Sequence, residues 1–261
     1  MYMEKARSDK KRVLLKVGTN TLTKETDQIS RGKIEDIARQ IAQLKDEYDF
    51  IIVSSGAIAV AKQFVKLEGN GKEITVKQAL AAIGQPHLMR IFQENFRELG
   101  LLTSQCLLSY PDFERKSSRE NIYNTIHVLL ANGYIPIINE NDTVATEEIQ
   151  FGDNDKLAAL TGSLLHVDLV IIATNTDGIY RKESLDKTPE TITLVNDLAG
   201  LKEEIFSGKS SHGTGGMQSK IEAAEILYSH NIETWIVNGL QDRFILNAFE
   251  NKIPFTKIIK P

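Results

Sequence analysis

The chain has 261 residues, 41% of them hydrophobic and 25% charged, with a formal net charge of -4. That length suits one large α/β domain or two small ones. The slight acidity, with no long Lys/Arg block, argues against binding nucleic acid or a membrane surface through bulk charge.

Residues 1–11 read as a polar tail without the apolar core of a signal peptide, and residues 12–261 as a single domain. No apolar run reaches the ~18 residues of a membrane span. Short apolar runs then alternate with helical patterns. Val13–Val17, Phe50–Ser54, Ile135–Ile138, Leu169–Ile172 and Thr234–Val237 predict strands covered on both faces. Leu101–Leu108 is a sixth candidate. Between them, Ile34, Ile37, Ala38, Ile41 and Leu44 share one helical face, as do Leu157, Leu160, Thr161 and Leu164, and Ile221, Ala224 and Leu227. Strands alternating with helices imply a mostly parallel sheet between helical layers. Val144–Gln150, followed by Gly152-Asp153, predicts a short antiparallel hairpin.

The single cysteine, Cys106, excludes an intramolecular disulfide and fits a reducing, cytoplasmic setting; its apolar neighbours predict a buried structural thiol. The five histidines are scattered without metal-ligand spacing, so no metal site built from protein ligands alone is expected.

In open α/β sheets, ligands bind beyond the carboxyl ends of the strands. After the first strand stands Lys16-Val17-Gly18-Thr19-Asn20. Gly18 lets backbone approach a ligand, and Lys16 beside it suits an anion such as phosphate. Taken alone, Lys16 could equally be a snorkelling lysine in a tight turn. After the second strand, Ser54-Ser55-Gly56-Ala57 opens a helix whose amides suit a carboxylate or phosphate, or else simply caps it. After the strand at Ile135 come Asn139-Glu140-Asn141-Asp142 and then Gly152-Asp153-Asn154-Asp155-Lys156. Acids for an ammonium and amides for a carboxylate are what an amino-acid substrate needs. Gly213–Lys220 is a glycine-rich loop ending in a lysine one turn into a helix, a second phosphate device or else a generic flexible loop. Two near matches fail. Ser207-Gly208-Lys209-Ser210 lacks the upstream Walker A glycine, which is Glu203 here. Gly213-Thr214-Gly215 lacks the last small residue of a dinucleotide fingerprint, where Gln218 stands.

Lys16-x-Gly18-Thr19, Ser55-Gly56-Ala57 and Gly215-Gly216-Met217-x-x-Lys220, in that order, resemble the amino acid kinase family. Ile138–Asp142 followed by Phe151–Asp155, with Ser55–Ile58 and Gln78–Gln85, is similar to the branch that phosphorylates glutamate. The resemblance covers about residues 11 to 258. It implies a three-layer sandwich with a central, mainly parallel eight-stranded sheet. It implies ATP-dependent phosphorylation of the side-chain carboxylate of L-glutamate to L-glutamyl 5-phosphate, the first step of proline biosynthesis, with ATP and Mg²⁺.

By the same resemblance Lys16 and Lys220 hold the transferring phosphate and Asp155 orients them. Ser55, Gly56, Asn139, Asp142 and Asn154 bind glutamate. Gly18, Thr174, Asn175, Thr214, Gly215, Gly216 and Met217 join the lysines around ATP. Asn175 stands where the family usually has Asp, which puts a neutral group at a nucleotide contact. A homo-oligomer, dimer or tetramer, and a downstream glutamyl phosphate reductase are further expectations. Many relatives carry a C-terminal PUA domain, and the expectation here is the form lacking it. Two alternatives remain at this stage. One is a sister kinase acting on N-acetylglutamate, aspartate, carbamate or UMP. The other is a non-catalytic nucleotide-binding sensor.

Overall fold

The computed structural model describes residues 10–24, 28–68, 73–145, 154–181, 184, 188–206 and 214–261. One eight-stranded sheet organises them, in the order β3-β4-β2-β1-β5-β7-β8-β6. The strands are β1 Lys11–Val17, β2 Tyr48–Ser54, β3 Leu102–Leu108, β4 Tyr134–Glu140, β5 Leu169–Thr174, β6 Leu194–Val195, β7 Glu233–Asn238 and β8 Thr256–Ile258. All neighbours are parallel except β7 and β8. The five core strands and the sixth candidate are present. The two-residue β6 and three-residue β8 are too short to leave a periodic signal.

The helices are α1 Thr19–Thr23, α2 Arg31–Leu44, α3 Ala57–Lys62, α4 Ile74–Arg97, α5 Tyr110–Glu114, α6 Lys116–Ala131, α7 Asp155–Leu165, α8 Leu198–Phe206, α9 Thr214–Ser229 and α10 Phe244–Phe249. Strand alternation decides which helices each residue meets. Val13, Leu15 and Val17 of β1 pack with Ile34, Ile37 and Ile41 of α2, Phe92 of α4 and Phe244 of α10. Leu14, with Ile51 and Val53 of β2, packs on the opposite face with Leu157 and Ala158 of α7 and Leu227 of α9. Lys16 has the parity of Leu14, so its side chain is delivered to the layer of α7 and α9.

Chain order reverses at β1, whose neighbours β2 and β5 are reached by crossovers on opposite sides. That is a topological switch point, where a crevice opens at the strand ends. In register, Val17 lies beside Ser54 and Ala173, and Thr174 beside Asn238. The ends of β1, β2, β5 and β7 are therefore flush.

Helix α4 reaches these ends because it crosses α3 without a side chain between them. A Cβ on Gly84 would lie 1.8 Å from the carbonyl oxygen of Ala57. The next residue, Gln85, is thereby held against the strand ends.

Some expectations change. β3 lies at the sheet edge and is not covered on both faces: Leu102 and Leu107 are exposed. Cys106, on that strand, is half-buried, and burial pushes its thiol pKa up. Of the expected hairpin, Val144 lies in a turn, its N–H bonded to the Asn141 carbonyl. Residues 146–153 of that hairpin lie outside the described residues, as do residues 1–9 of the polar tail and the Ser207–Ser210 stretch. No helix among the described residues is long and apolar enough to cross a membrane.

Gly84→Ala places a methyl group inside the α3 backbone and should lower unfolding stability by about 1–3 kcal/mol, the usual effect of overpacking. Urea denaturation measures it; an unchanged midpoint would show that α3 and α4 do not depend on this close crossing.

Candidate active site

The centre of the site is one carboxylate between two ammonium groups. Lys16 Nζ, from the end of β1, lies 2.6 Å from Asp155 Oδ1. Lys220 Nζ, from α9, lies 2.9 Å from Asp155 Oδ2. All three side chains are buried. Burial alone raises the Asp155 pKa, but the neighbouring charges of Lys16 and Lys220 and their hydrogen bonds outweigh it and bring it down to about 2. The residues 204 positions apart in the sequence thus meet on one anion, and the three groups together carry one net positive charge.

Ser219 completes the cradle. Its hydroxyl contacts Asp155 Oδ2 at 3.0 Å and the Gly216 carbonyl at 3.1 Å, and Lys220 also donates to that carbonyl at 3.1 Å. These contacts hold the first turn of α9 against the first residue of α7. Gly18 leaves room at the other end: a Cβ there would stand 3.2 Å from Lys16 Nζ.

A chain of amides adjoins this cradle, because Asn154 immediately precedes Asp155. Asn154 occupies the N-cap position of α7 without capping it through its side chain. Its Nδ2 instead donates to the Ser54 carbonyl at 2.8 Å and to Asn139 Oδ1 at 2.8 Å, with Ser55 Oγ at 3.3 Å. Asn139 Oδ1 also accepts the Glu140 N–H at 3.0 Å, and its Nδ2 donates to Gln85 Oε1 at 2.8 Å. The two hydrogens of the Asn154 amide nitrogen are thus engaged within the protein. A carboxylate ligand would have to share or displace one of these bonds to accept from Asn154 Nδ2. The Ser55 hydroxyl accepts from Asn154.

Asp142 is buried, and its Oδ1 has no hydrogen-bond partner among the described residues. Burial, and then the negative charge of Glu140, raise its pKa to about 7. A carboxyl group left in this state is suited to an incoming cation.

The structure therefore brings Lys16, Lys220 and Asp155 together, and joins Ser55, Asn139 and Asn154 to them. Gly56, at φ 106°, adopts the left-handed conformation that glycine tolerates and turns the chain from β2 into α3. Thr174 is buried at the end of β5, and Asn175 follows it exposed. The carboxylate of that turn is Asp177, which accepts amide hydrogens from Asn238 at 2.8 Å and Gln241 at 2.9 Å. Thr214 and Gly215 begin α9, with Gly216 exposed and Met217 half-buried after them. Ser219 and Gln85 were given no role from the sequence. Ser219 adjoins a chosen lysine; Gln85 closes the Gln78–Gln85 segment that carried part of the resemblance, between two helix-disfavoured neighbours, Gly84 and Pro86.

A cradle of two lysines at the switch point of a mainly parallel sheet is an α/β arrangement suited to an anion such as phosphate. The family model for the amino acid kinase family matches residues 11–238. The chain belongs to the amino acid kinase family. Among similar curated proteins is a glutamate 5-kinase of Caldanaerobacter subterraneus subsp. tengcongensis, 42% identical over 90% of this chain and 64% of its own length. Another is a glutamate 5-kinase of Clostridium acetobutylicum, 40% identical over 95% of both chains. This chain thus spans somewhat under two thirds of the first relative's length and nearly all of the second's. Among solved structures, carbamate kinase from Giardia lamblia superposes with a TM-score of 0.70 at 16% identity, covering 98% of this chain and 100% of that one. UMP kinase from Ureaplasma parvum does so with a TM-score of 0.64 at 17% identity, covering 96% and 99%. These likenesses establish the fold.

Asp142 generates a pH prediction. Its carboxyl ordinarily releases its proton near 3.8 and in the folded chain near 7, so the native state binds the extra proton between these values. Through this group, stability falls as pH rises from about 4 to about 7 and is then level. In thermal melts, Asp142→Asn should flatten that slope; an identical slope in wild type and variant would contradict the assignment.

Proposed function

We propose that this chain transfers the γ-phosphoryl group of ATP to the side-chain carboxylate of L-glutamate, giving L-glutamyl 5-phosphate, the first step of proline biosynthesis. The observation that carries this reading is the convergence of Lys16 and Lys220 on Asp155, next in the chain to the amide cluster of Asn139 and Asn154. The glutamate 5-kinase relatives support the choice of acceptor.

The glutamate side chain has a pKa of about 4.3 and is ionised at neutral pH, so the nucleophile needs no general base. The barrier is repulsion between a carboxylate and a polyphosphate. Positioning and charge neutralisation lower it. The two ammonium groups, fixed by Asp155 before substrate arrives, stabilise the charge that develops on the transferring phosphoryl group. Asp142 takes the substrate ammonium, which favours its ionised form. The Ser55 hydroxyl and the backbone at Gly56 receive a carboxylate. Thr174, Asn175 and the start of α9 from Thr214 to Met217 face the nucleotide, with Gly18 giving its phosphates room.

Among the described residues no group of three or more His, Cys, Asp or Glu could hold a metal ion. The residues present fit a magnesium ion that reaches the site on the nucleotide, bound chiefly by phosphate oxygens and water. When bound it neutralises phosphate charge.

Lys16→Ala and Lys220→Ala should each lower turnover at least ~100-fold, as loss of an electrostatic stabiliser does. A glutamate-dependent hydroxamate assay with ATP and Mg²⁺ reads this, and near wild-type turnover in both variants would defeat the mechanism. In the same assay Asp142→Ala should mainly raise the KM for glutamate. A change confined to the KM for ATP would remove Asp142 from the acceptor site. Running N-acetylglutamate, aspartate, carbamate and UMP in an ADP-release assay tests the acceptor itself; turnover with one of these and none with glutamate would replace it.

A further inference from the structure

We infer that Gln85 is a substrate-contacting residue, its side-chain amide nitrogen donating to a carboxylate of the acid substrate. The inference rests on the kinase reading above for the identity of that acid. Its basis is the polarity of the amide chain. Side-chain amides can be flipped, but here two backbone groups fix them. The Ser54 carbonyl can only accept, so Asn154 must present Nδ2 to it. The Glu140 N–H can only donate, so Asn139 must present Oδ1, the same atom that Asn154 Nδ2 also meets. Asn139 Nδ2 is thereby turned toward α4, and Gln85 must meet it with Oε1. The opposite flip of Gln85 would set one NH₂ group against another.

This leaves Gln85 Nε2 as a donor of settled identity. Gln85 is only 8% exposed, and Nε2 has no hydrogen-bond partner among the described residues. A buried donor without a partner is unfavourable, and folded proteins keep few of them. This one lies at the carboxyl ends of β2 and β4, in the same hydrogen-bonded group as Ser55, where an open α/β sheet holds its ligand. An anionic acceptor satisfies it, and the substrate of the proposed reaction brings two carboxylates. The Gly84 crossing on Ala57 is what holds Gln85 there.

The test is steady-state kinetics of the full chain at saturating ATP with varied glutamate, for wild type, Gln85→Glu and Gln85→Met. Thermal melts run alongside. Gln85→Glu keeps an oxygen for Asn139 and replaces the donor by a second, charged oxygen. The glutamate KM should rise about tenfold or more in Gln85→Glu, with the ATP KM unchanged. Gln85→Met removes the donor without adding charge and should give a smaller rise in the same KM. If Gln85→Glu melts early, Gln85→Met carries the decision. An unchanged glutamate KM in a folded variant, or a change confined to kcat or to the ATP KM, overturns the inference and leaves the kinase reading standing. Absence of glutamate turnover in the wild-type chain overturns both.

Discussion

The structure depends on Asp155. A buried carboxylate facing one lysine is a costly arrangement that hydrophobic side chains could often replace without loss. Here it faces two, Lys16 and Lys220, and is held well below the usual carboxylate range by them. The arrangement is better suited to function than to stability. Two ammonium groups share this one buried carboxylate, so positive charge is held in a place sheltered from water. Electrostatic interactions are strong there, and the donors are already in position when an anion arrives.

The fold makes this arrangement through a few simple constraints. Parity on β1 sends Lys16 to the face covered by α7 and α9 while its neighbours Leu15 and Val17 build the other core. The same parity on β4 sends Asn139 toward α4, with Ile135 and Ile137. The boundary between the two halves of the site falls between consecutive residues: Asn154 binds the strand ends of β2 and β4, and Asp155 binds the lysines. A shift of α7 by a fraction of a turn would break both sets at once, which couples the amide group to the lysine pair through one helix start.

Much of this was legible in the sequence. Strands buried on both faces leave continuous apolar runs, so β1, β2, β4, β5 and β7 announced themselves; Lys16, Asn139 and Thr174 lie at the ends of three of them, and Gly18, Ser55, Gly56, Asp142 and Asn175 just beyond, whereas Asn154, Asp155 and the residues from Thr214 to Lys220 stand at helix starts. Lys220 was legible because Gly215-Gly216-Met217-x-x-Lys220 carries part of the family resemblance; taken alone, the stretch could have been a generic flexible loop. The edge strand β3 was harder to read, since only one flank is paired and two of its three leucines, Leu102 and Leu107, are exposed. β6 and β8 are held by pairing with β7 and each other rather than by their own pattern. The amide chain was only partly readable: Asn139 and Asn154 stood out in a polar run, but their direction of donation depends on the Ser54 carbonyl and the Glu140 N–H, which no residue pattern reveals. Gln85 lies on a helix that looks like core, and its role emerges only when α3 and α4 cross at Gly84.

The most direct measurement of the central claim is a crystal structure of the chain with a non-transferable ATP analogue, Mg²⁺ and L-glutamate. The account predicts the terminal phosphate between Lys16 and Lys220, both Nζ atoms within ~3 Å of its oxygens as charge-assisted hydrogen bonds require, and the glutamate side-chain carboxylate in line with it. A terminal phosphate bound away from both lysines, with the Lys16–Asp155–Lys220 group unaltered and apart from it, would contradict the account.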